Sequence, residues 1–257
     1  MNHKKVRLIF LLLFSGLVFA SAAFGLSYYF PALAIILYVL IAIRGSFDIG
    51  SDYHIRAYCS ASTTFGKTIS ITFDDGPHPN TIKVLDVLAR YNAKATFFCI
   101  GKNVLQFPEI MERIITEGHI VGNHTFNHSN WFDFYNRGRV LEEIRNTDAI
   151  LSGYVHRQIK YFRPPYGVTN PTIMKALKIS GHYVIGWNIR SMDTVLKNEN
   201  AIFDRITKKL KPGAVVLLHD RVPQTDAVVE RLLSHLQDNN YKVVPLEDLI
   251  SIPAYED

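Results

Sequence analysis

Thr72-Phe73-Asp74-Asp75-Gly76-Pro77 sets two adjacent carboxylates at the end of an alternating apolar run, Ile69, Ile71 and Phe73, just before a Gly-Pro turn. Adjacent Asp side chains repel unless one meets a cation and the other has a proton to take, so such a pair points to chemistry. An ordinary Asx turn before Gly-Pro uses the same residues, and the pair alone does not decide between the two. His124-Thr125-Phe126-Asn127-His128 supplies the missing partner. Its imidazoles are four residues apart, and one helical turn would bring both to the same side. The pair follows Gly118-His119-Ile120-Val121-Gly122, a second short apolar run ending in polar residues. Two imidazoles and the carboxylate of Asp75 make a three-ligand site with open positions for water and substrate, the arrangement of catalytic rather than structural zinc.

Two further apolar runs end in ionisable residues. Val215-Val216-Leu217-Leu218 leads into His219-Asp220, and Tyr161-Phe162 leads into Arg163-Pro164-Pro165-Tyr166-Gly167. Each alone reads equally well as a capping histidine or a surface turn; their joint occurrence at run ends argues for one site. In chain order, residues 72–77, 124–128, 163–167 and 217–220 resemble the motifs of the NodB-type polysaccharide deacetylases, carbohydrate esterase family four, over residues 67–252. One family motif departs from its pattern. Where the family usually shows Asp-x-x-Asp-Trp, the chain has Arg190-Ser191-Met192-Asp193-Thr194, keeping the second acid and replacing the first acid and the Trp.

The resemblance implies metal-dependent hydrolysis of N-acetyl groups from an amino-sugar polysaccharide or oligosaccharide of the chitooligosaccharide or peptidoglycan type. One divalent ion on Asp75, His124 and His128, Zn by default although the same ligands accept Co, Ni or Fe, would polarise the carbonyl and acidify water. Asp74 is then the general base. Arg163 would keep it ionised through a charge-assisted hydrogen bond, preferably two-pronged, which Lys could not reproduce. The backbone N–H of Tyr166 is implied for the oxyanion, His219 for protonating the leaving amine, and Asp193 as the partner of His219. Pro164, Trp187 and Leu217 complete the substrate side. Rival readings are a deacylase or deformylase of a lipid-linked sugar at the cytoplasmic face, and a carbohydrate-binding pseudoenzyme, which the altered 190–194 segment motivates. A membrane scaffold is a third.

The elements that must position these residues alternate. Apolar runs predict strands at 68–74, 95–100, 119–123, 160–163, 182–188, 214–219 and 241–245, and amphipathic spacing predicts helices at 81–91, 103–117, 140–151, 171–180, 201–210 and 228–238. Seven strands with crossovers predict an α/β parallel barrel, whose sites lie at the C-terminal strand ends. The family's fold, a distorted (β/α)7 barrel, agrees. The expected organisation is an anchor of two apolar helices at 1–45, a juxtamembrane linker at 46–66, the deacetylase domain at 67–252 and a tail at 253–257. Cys59 and Cys99 are read as unpaired. A balance of 28 basic to 23 acidic residues, net +5, carries no basic-aromatic motif for nucleic acid.

Residues 8–43 contain no charge, and as one helix they would rise about 54 Å against a hydrocarbon core of about 30 Å. Two helices at 7–25 and 30–44, turning near Ser27-Tyr28-Tyr29-Phe30-Pro31, fit better, and the membrane is the expected partner of 8–43. Lys4, Lys5 and Arg7 place the N-terminus in the cytoplasm, and two spans return the catalytic domain there. Ala20-Ser21-Ala22 also resembles a signal-peptidase site. Wall polysaccharide lies on the other side, so either the two segments do not both cross or the substrate is a sugar at the cytoplasmic face.

Overall fold

The computed structural model describes residues 2–62 and 66–257. It begins with two antiparallel helices, α1 (His3–Phe24) and α2 (Tyr29–Phe47). Each is long and apolar enough to cross a membrane, by length and composition. Their 22 and 19 residues rise about 33 and 28 Å, close to the thickness of a hydrocarbon core. α1 starts earlier than the predicted 7–25, because Asn2 caps it by accepting from Lys5 N–H, and stops at Phe24, because Gly25 adopts the left-handed conformation; α2 extends past the predicted 30–44 at both ends.

The rest is built on β1 (Ala57–Tyr58), β2 (Thr68–Asp74), β3 (Thr96–Cys99), β4 (Ile120–Asn123), β5 (Gln158–Ile159), β6 (Tyr161–Phe162), β7 (Tyr183–Ile185), β8 (Ile189–Arg190), β9 (Val215–His219), β10 (Lys242–Val243) and β11 (Tyr255–Glu256). Between and beyond them lie α3 (Thr81–Arg90), α4 (Gly101–Gln106), α5 (Pro108–Thr116), α6 (Arg137–Val155), α7 (Pro171–Ser180), α8 (Glu199–Thr207), α9 (Thr225–Asp238) and α10 (Leu246–Ile250). The main sheet runs β1-β7-β6-β4-β3-β2-β9-β8, with β10 beside the start of β2 and every pairing parallel. This is the curled, parallel (β/α)7-type sheet that the alternation predicts.

Register then does the positioning. Asp74 lies beside His219 on one side and Phe98 on the other, and Cys99 lies beside Asn123, which in turn pairs with Phe162. The C-terminal ends of β2, β3, β4, β6 and β9 thus form one rim. Beneath it, Ile69, Ile71, Phe73, Phe97, Val216 and Leu218 are buried against α3 and α9 residues such as Leu85, Leu88, Leu232 and Leu236. A one-residue slip of β2 would exchange Thr72 and Asp74 with their apolar neighbours, so the core fixes which side chains face the rim.

Three expectations need correction. The predicted 103–117 helix is two helices, because Pro108 cannot donate to the preceding turn and instead starts α5. Residues 46–66 are not a plain linker: Ile49 packs with Phe162 and Val184, and β1 joins the sheet beside β7. Residues 63–65 of that stretch lie outside the described residues. The expected tail at 253–257 contains β11, which pairs antiparallel with β5, and its Tyr255 hydroxyl accepts from Val121 N–H.

Candidate active site

Asp74 ends β2 and Asp75 begins the turn, where its backbone adopts φ 75°. That left-handed conformation is uncommon for a residue other than Gly, and it turns consecutive carboxylates in different directions. Asp74 meets Arg163, whereas Asp75 faces the histidines. His124 and His128 lie 3.5 and 3.4 Å from Asp75 Oδ1 through their Nε2 atoms. The three ligand atoms lie within 4.8 Å of one another.

The histidines converge by another route than the helical turn predicted for them. Residues 124–128 form a loop in which Thr125 and His128 both have positive φ, 67° and 48°. Local hydrogen bonds displace the helix: Asn123 Oδ1 accepts from Thr125 N–H, and Glu143 Oε2 on α6 accepts from the N–H groups of Phe126 and Asn127. Asn127 Nδ2 also donates to Glu143 Oε1. The rings end with centroids 4.7 Å apart.

The donor set fits a divalent cation. His124 Nδ1–H donates to the Arg163 carbonyl at 2.7 Å, which fixes the tautomer and turns the Nε2 lone pair toward Asp75. Burial, reinforced by His124, lowers His128 to about 4 and keeps its ring neutral and able to ligate. Two imidazole nitrogens and a carboxylate oxygen form a ligand set that suits several first-row metals.

Arg163 has no solvent exposure. Its Nη1 donates to Asp74 Oδ1 at 2.7 Å and to Thr72 Oγ1 at 2.9 Å, while Nε and Nη2 donate to the carbonyls of Ile185 and Gly186. The contact with Asp74 is therefore single-pronged, not the two-pronged pair expected, because the remaining donors are committed to β7 and the residue after it. On the other flank, Asp193 accepts from His219 twice, from Nδ1 at 2.8 Å and from the backbone N–H at 2.7 Å. Burial opposes charge on His219, but the hydrogen bond and charge of Asp193 outweigh it and raise the imidazole above its ordinary pKa.

Asp74, Asp75, His124, His128 and His219 line a cleft of about 430 Å³ with Tyr166, Trp187, Leu217, Lys102, Asn130, Arg190 and Arg221 among its other walls. Tyr166 adopts φ 59°, ψ 0°, its ring edge meets His128, and its hydroxyl donates to Asn130. Pro164 is buried and does not line the cleft. Its extended backbone, φ −68° and ψ 144°, instead leads into the turn at Pro165–Gly167 that carries Tyr166. Trp187 edges the cleft and closes over Gly167, where an added Cβ would collide with the indole.

The matching family model is polysaccharide deacetylase, over residues 61–185. A Bacillus cereus peptidoglycan-N-acetylglucosamine deacetylase is 35% identical over 195 residues, covering 72% of this chain and 88% of the relative. The chain belongs to the polysaccharide deacetylase family. A Sinorhizobium fredii chitooligosaccharide deacetylase is 30% identical, covering 70% and 90% of the two chains. Among solved structures, the Bc1960 peptidoglycan N-acetylglucosamine deacetylase superposes with a TM-score of 0.72 at 28% identity, covering 77% of this chain and 94% of that one. As a family member the chain is a hydrolase of carbon–nitrogen bonds other than peptide bonds.

Three contributions to this deacetylase site escaped the reading of its sequence. Arg221 Nε donates to Asp75 Oδ2 at 2.7 Å, so the carboxylate facing the histidines is held from behind. Glu143 shapes the histidine loop, and its only signal is an acid set among the apolar positions Val140, Leu141 and Ile144 that α6 buries. Thr72 bridges Arg163 and the Val216 carbonyl, a role that nothing in the linear pattern marks. Cys59 and Cys99 are both free, as expected.

Proposed function

We propose that this chain removes acetyl groups from N-acetylated amino sugars, with Asp75, His124 and His128 holding one divalent ion, by default Zn. The observation that carries the reading is the division of labour between neighbouring carboxylates: Asp75 faces two imidazoles, while Asp74 is held by a buried guanidinium and also lies 3.8 Å from His124. When bound, the ion supplies a polarised carbonyl and a more acidic water.

Asp74 takes the proton from the attacking water. Arg163 holds Oδ1 through Nη1, leaving Oδ2 toward His124 and the reacting atoms. The Tyr166 backbone N–H supports the negative charge that develops on the acetyl oxygen. His219, whose Nδ1–H is fixed by Asp193, presents Nε2 to the departing amine and gives it a proton. Its raised pKa lets it keep that proton to higher pH than an ordinary imidazole. Trp187 and Leu217 border the space for the sugar. Amide and acyl-ester hydrolysis place similar demands on these groups, so the choice of an N-acetyl group rests on the relatives, a peptidoglycan and a chitooligosaccharide deacetylase.

The paired apolar helices anchor the protein in a membrane. His3 N–H donates to the Tyr53 carbonyl, and Ser46 accepts from Thr169 N–H through its own carbonyl, so both ends of the hairpin rest on the catalytic domain. The basic N-terminus and the cleft therefore share one side, which the charge rule makes cytoplasmic. Amine release from N-acetylglucosamine oligomers by the detergent-solubilised chain, abolished by chelator and restored by Zn or Co, tests the reaction; no release with one equivalent of metal bound would refute the N-acetyl oligomer as substrate. A phosphatase reporter fused to the C-terminus tests the side, and activity of that reporter would overturn the cytoplasmic placement.

A further inference from the structure

Arg190 stands where the family pattern has an acid, and its surroundings say what the exchange does. It is exposed at the end of β8, with its guanidinium carbon 5.8 Å from the Trp187 ring. The cleft's two acids are both engaged, Asp74 with Arg163 and Asp75 with Arg221. Among the described residues, the side chains of Arg190 and Lys102 have no hydrogen bond or ion pair, although both line the cleft. A divalent ion on the Asp75 triad would make the cleft more positive still. Such a field suits an anion, and a neutral sugar does not use it.

The position of Arg190 narrows the anion. Trp187 and Arg190 line the metal-side cleft and also a second hollow, whose other walls include Phe47, Asp48 and Ile49. Phe47 is the last residue of α2, so the second hollow lies between the shared Trp187–Arg190 wall of the cleft and the base of the hairpin. Asp48 is the acid of the second hollow and makes no ion pair with Arg190. A guanidinium braced on an indole and free of carboxylates matches the oxygens of a phosphate in two-pronged fashion.

We propose that Arg190 is a specificity-determining residue that binds a phosphate carried by the sugar substrate. The inference deepens the deacetylase reading and rests on it for the sugar. The phosphate belongs either to a free sugar phosphate or to a lipid phosphodiester, and the second hollow leads toward the membrane that holds such a lipid.

Binding to the full chain in detergent, with metal bound, tests this directly. The probes are N-acetylglucosamine, N-acetylglucosamine 1-phosphate and the same sugar joined through phosphate to a long-chain isoprenol. The phosphorylated sugar should bind at least about tenfold more tightly than the neutral one, equivalent to about 1.4 kcal/mol. Arg190→Ala should reduce that advantage below about twofold, Arg190→Glu should abolish it, and Arg190→Lys should retain part, because a point charge replaces the fork. An advantage absent from the wild type, or surviving in both Arg190→Ala and Arg190→Glu, would overturn the assignment; survival would place the phosphate on the metal instead. Tighter binding of the isoprenol form identifies the lipid as the source, and equal binding of the two phosphates identifies the free sugar. Amine release is followed in parallel. Arg190-dependent binding without release would remove the deacetylase reading and leave the phosphate subsite, whereas release with no phosphate preference would remove the subsite alone.

Discussion

Replacing Arg163 with Lys isolates what a planar, multidentate cation contributes at the centre of the site. The wild-type side chain donates to four oxygens, on Thr72, Asp74, Ile185 and Gly186, and its guanidinium lies 4.0 Å over the Phe98 ring. A lysine ammonium can follow Asp74, because the charge attraction is strongest there, but it cannot reach across to both backbone carbonyls. Each buried partner left without its bond costs about 1–3 kcal/mol, so two cost about 2–6 kcal/mol. Against a total folding free energy of about 5–15 kcal/mol this is a large share. At about 2–4 °C per kcal/mol for a chain of this size, Tm falls by at least about 4 °C. Activity falls further than stability alone explains, since Asp74 loses the rigid donor that orients it and the Arg163 carbonyl, which fixes His124, shifts with its segment. Thermal unfolding of the solubilised chain, with amine release measured below the transition, checks both parts. A Lys variant with wild-type Tm and wild-type kcat would refute the claim that fork geometry, rather than positive charge, is required.

Other perturbations separate the remaining roles. Asp74→Asn should keep about one equivalent of metal and lose turnover, whereas His124→Ala should lose both; equal metal loss in the two, by metal analysis after dialysis, would overturn the division between the carboxylates. His219 must be protonated to serve the leaving amine, so activity declines as pH rises through its pKa, and the raised value extends activity upward. Asp193→Asn removes the cause of the rise and should move the basic limb of kcat/KM to lower pH, with a loss of up to about 10²–10⁴-fold; an unmoved limb would show that another group sets it. Burial pushes Asp220 up to about 7, and its Oδ2 accepts from Thr81. A raised carboxyl destabilises the fold increasingly as pH climbs from the ordinary carboxylate range through about 7. The Tm of Asp220→Asn relative to wild type should therefore be higher at pH 8.5 than at pH 5.5, and the reverse order would contradict the buried, uncharged state.

What the sequence disclosed and what it hid follow one physical division. β2 and β9 were legible because both are long enough to show an apolar run, and their ionisable ends fall in register, Asp74 beside His219. β1, β5, β8 and β11 are two residues each, too short for any periodicity, and pairing alone defines them. Asp75, His124 and His128, which the structure brings together, could be named without knowing how they meet. Four-residue spacing suggested a helix, but Asn123 and Glu143 satisfy the loop's backbone donors and make left-handed Thr125 and His128 the stable alternative. Arg163 was identifiable by its motif, whereas its single prong to Asp74 depends on carbonyls over twenty residues away in sequence.

The stretch read as a linker has a functional consequence because it is built into the fold. Twenty-one flexible residues would let a catalytic domain range about 25 Å from its anchor. Here α2 runs into Asp48 and Ile49, Ile49 sits in the core beside Phe162, and Cys59 lies so close to the backbone of Gly186 that a Cβ there would collide with its sulfur and press on Ile49. Gly45 is likewise closed off by the Tyr53 ring, which also stacks edge-on with His3 at the start of α1. Both helices are thereby fastened to the sheet that carries Trp187, and Trp187 is a wall of the catalytic cleft. With the hairpin in a bilayer, the cleft is held at a fixed height above that surface and cannot follow a polymer outward. On the proposed reading, a sugar on a lipid phosphate, already at that surface, is the substrate that Arg190 between the cleft and the hairpin would meet.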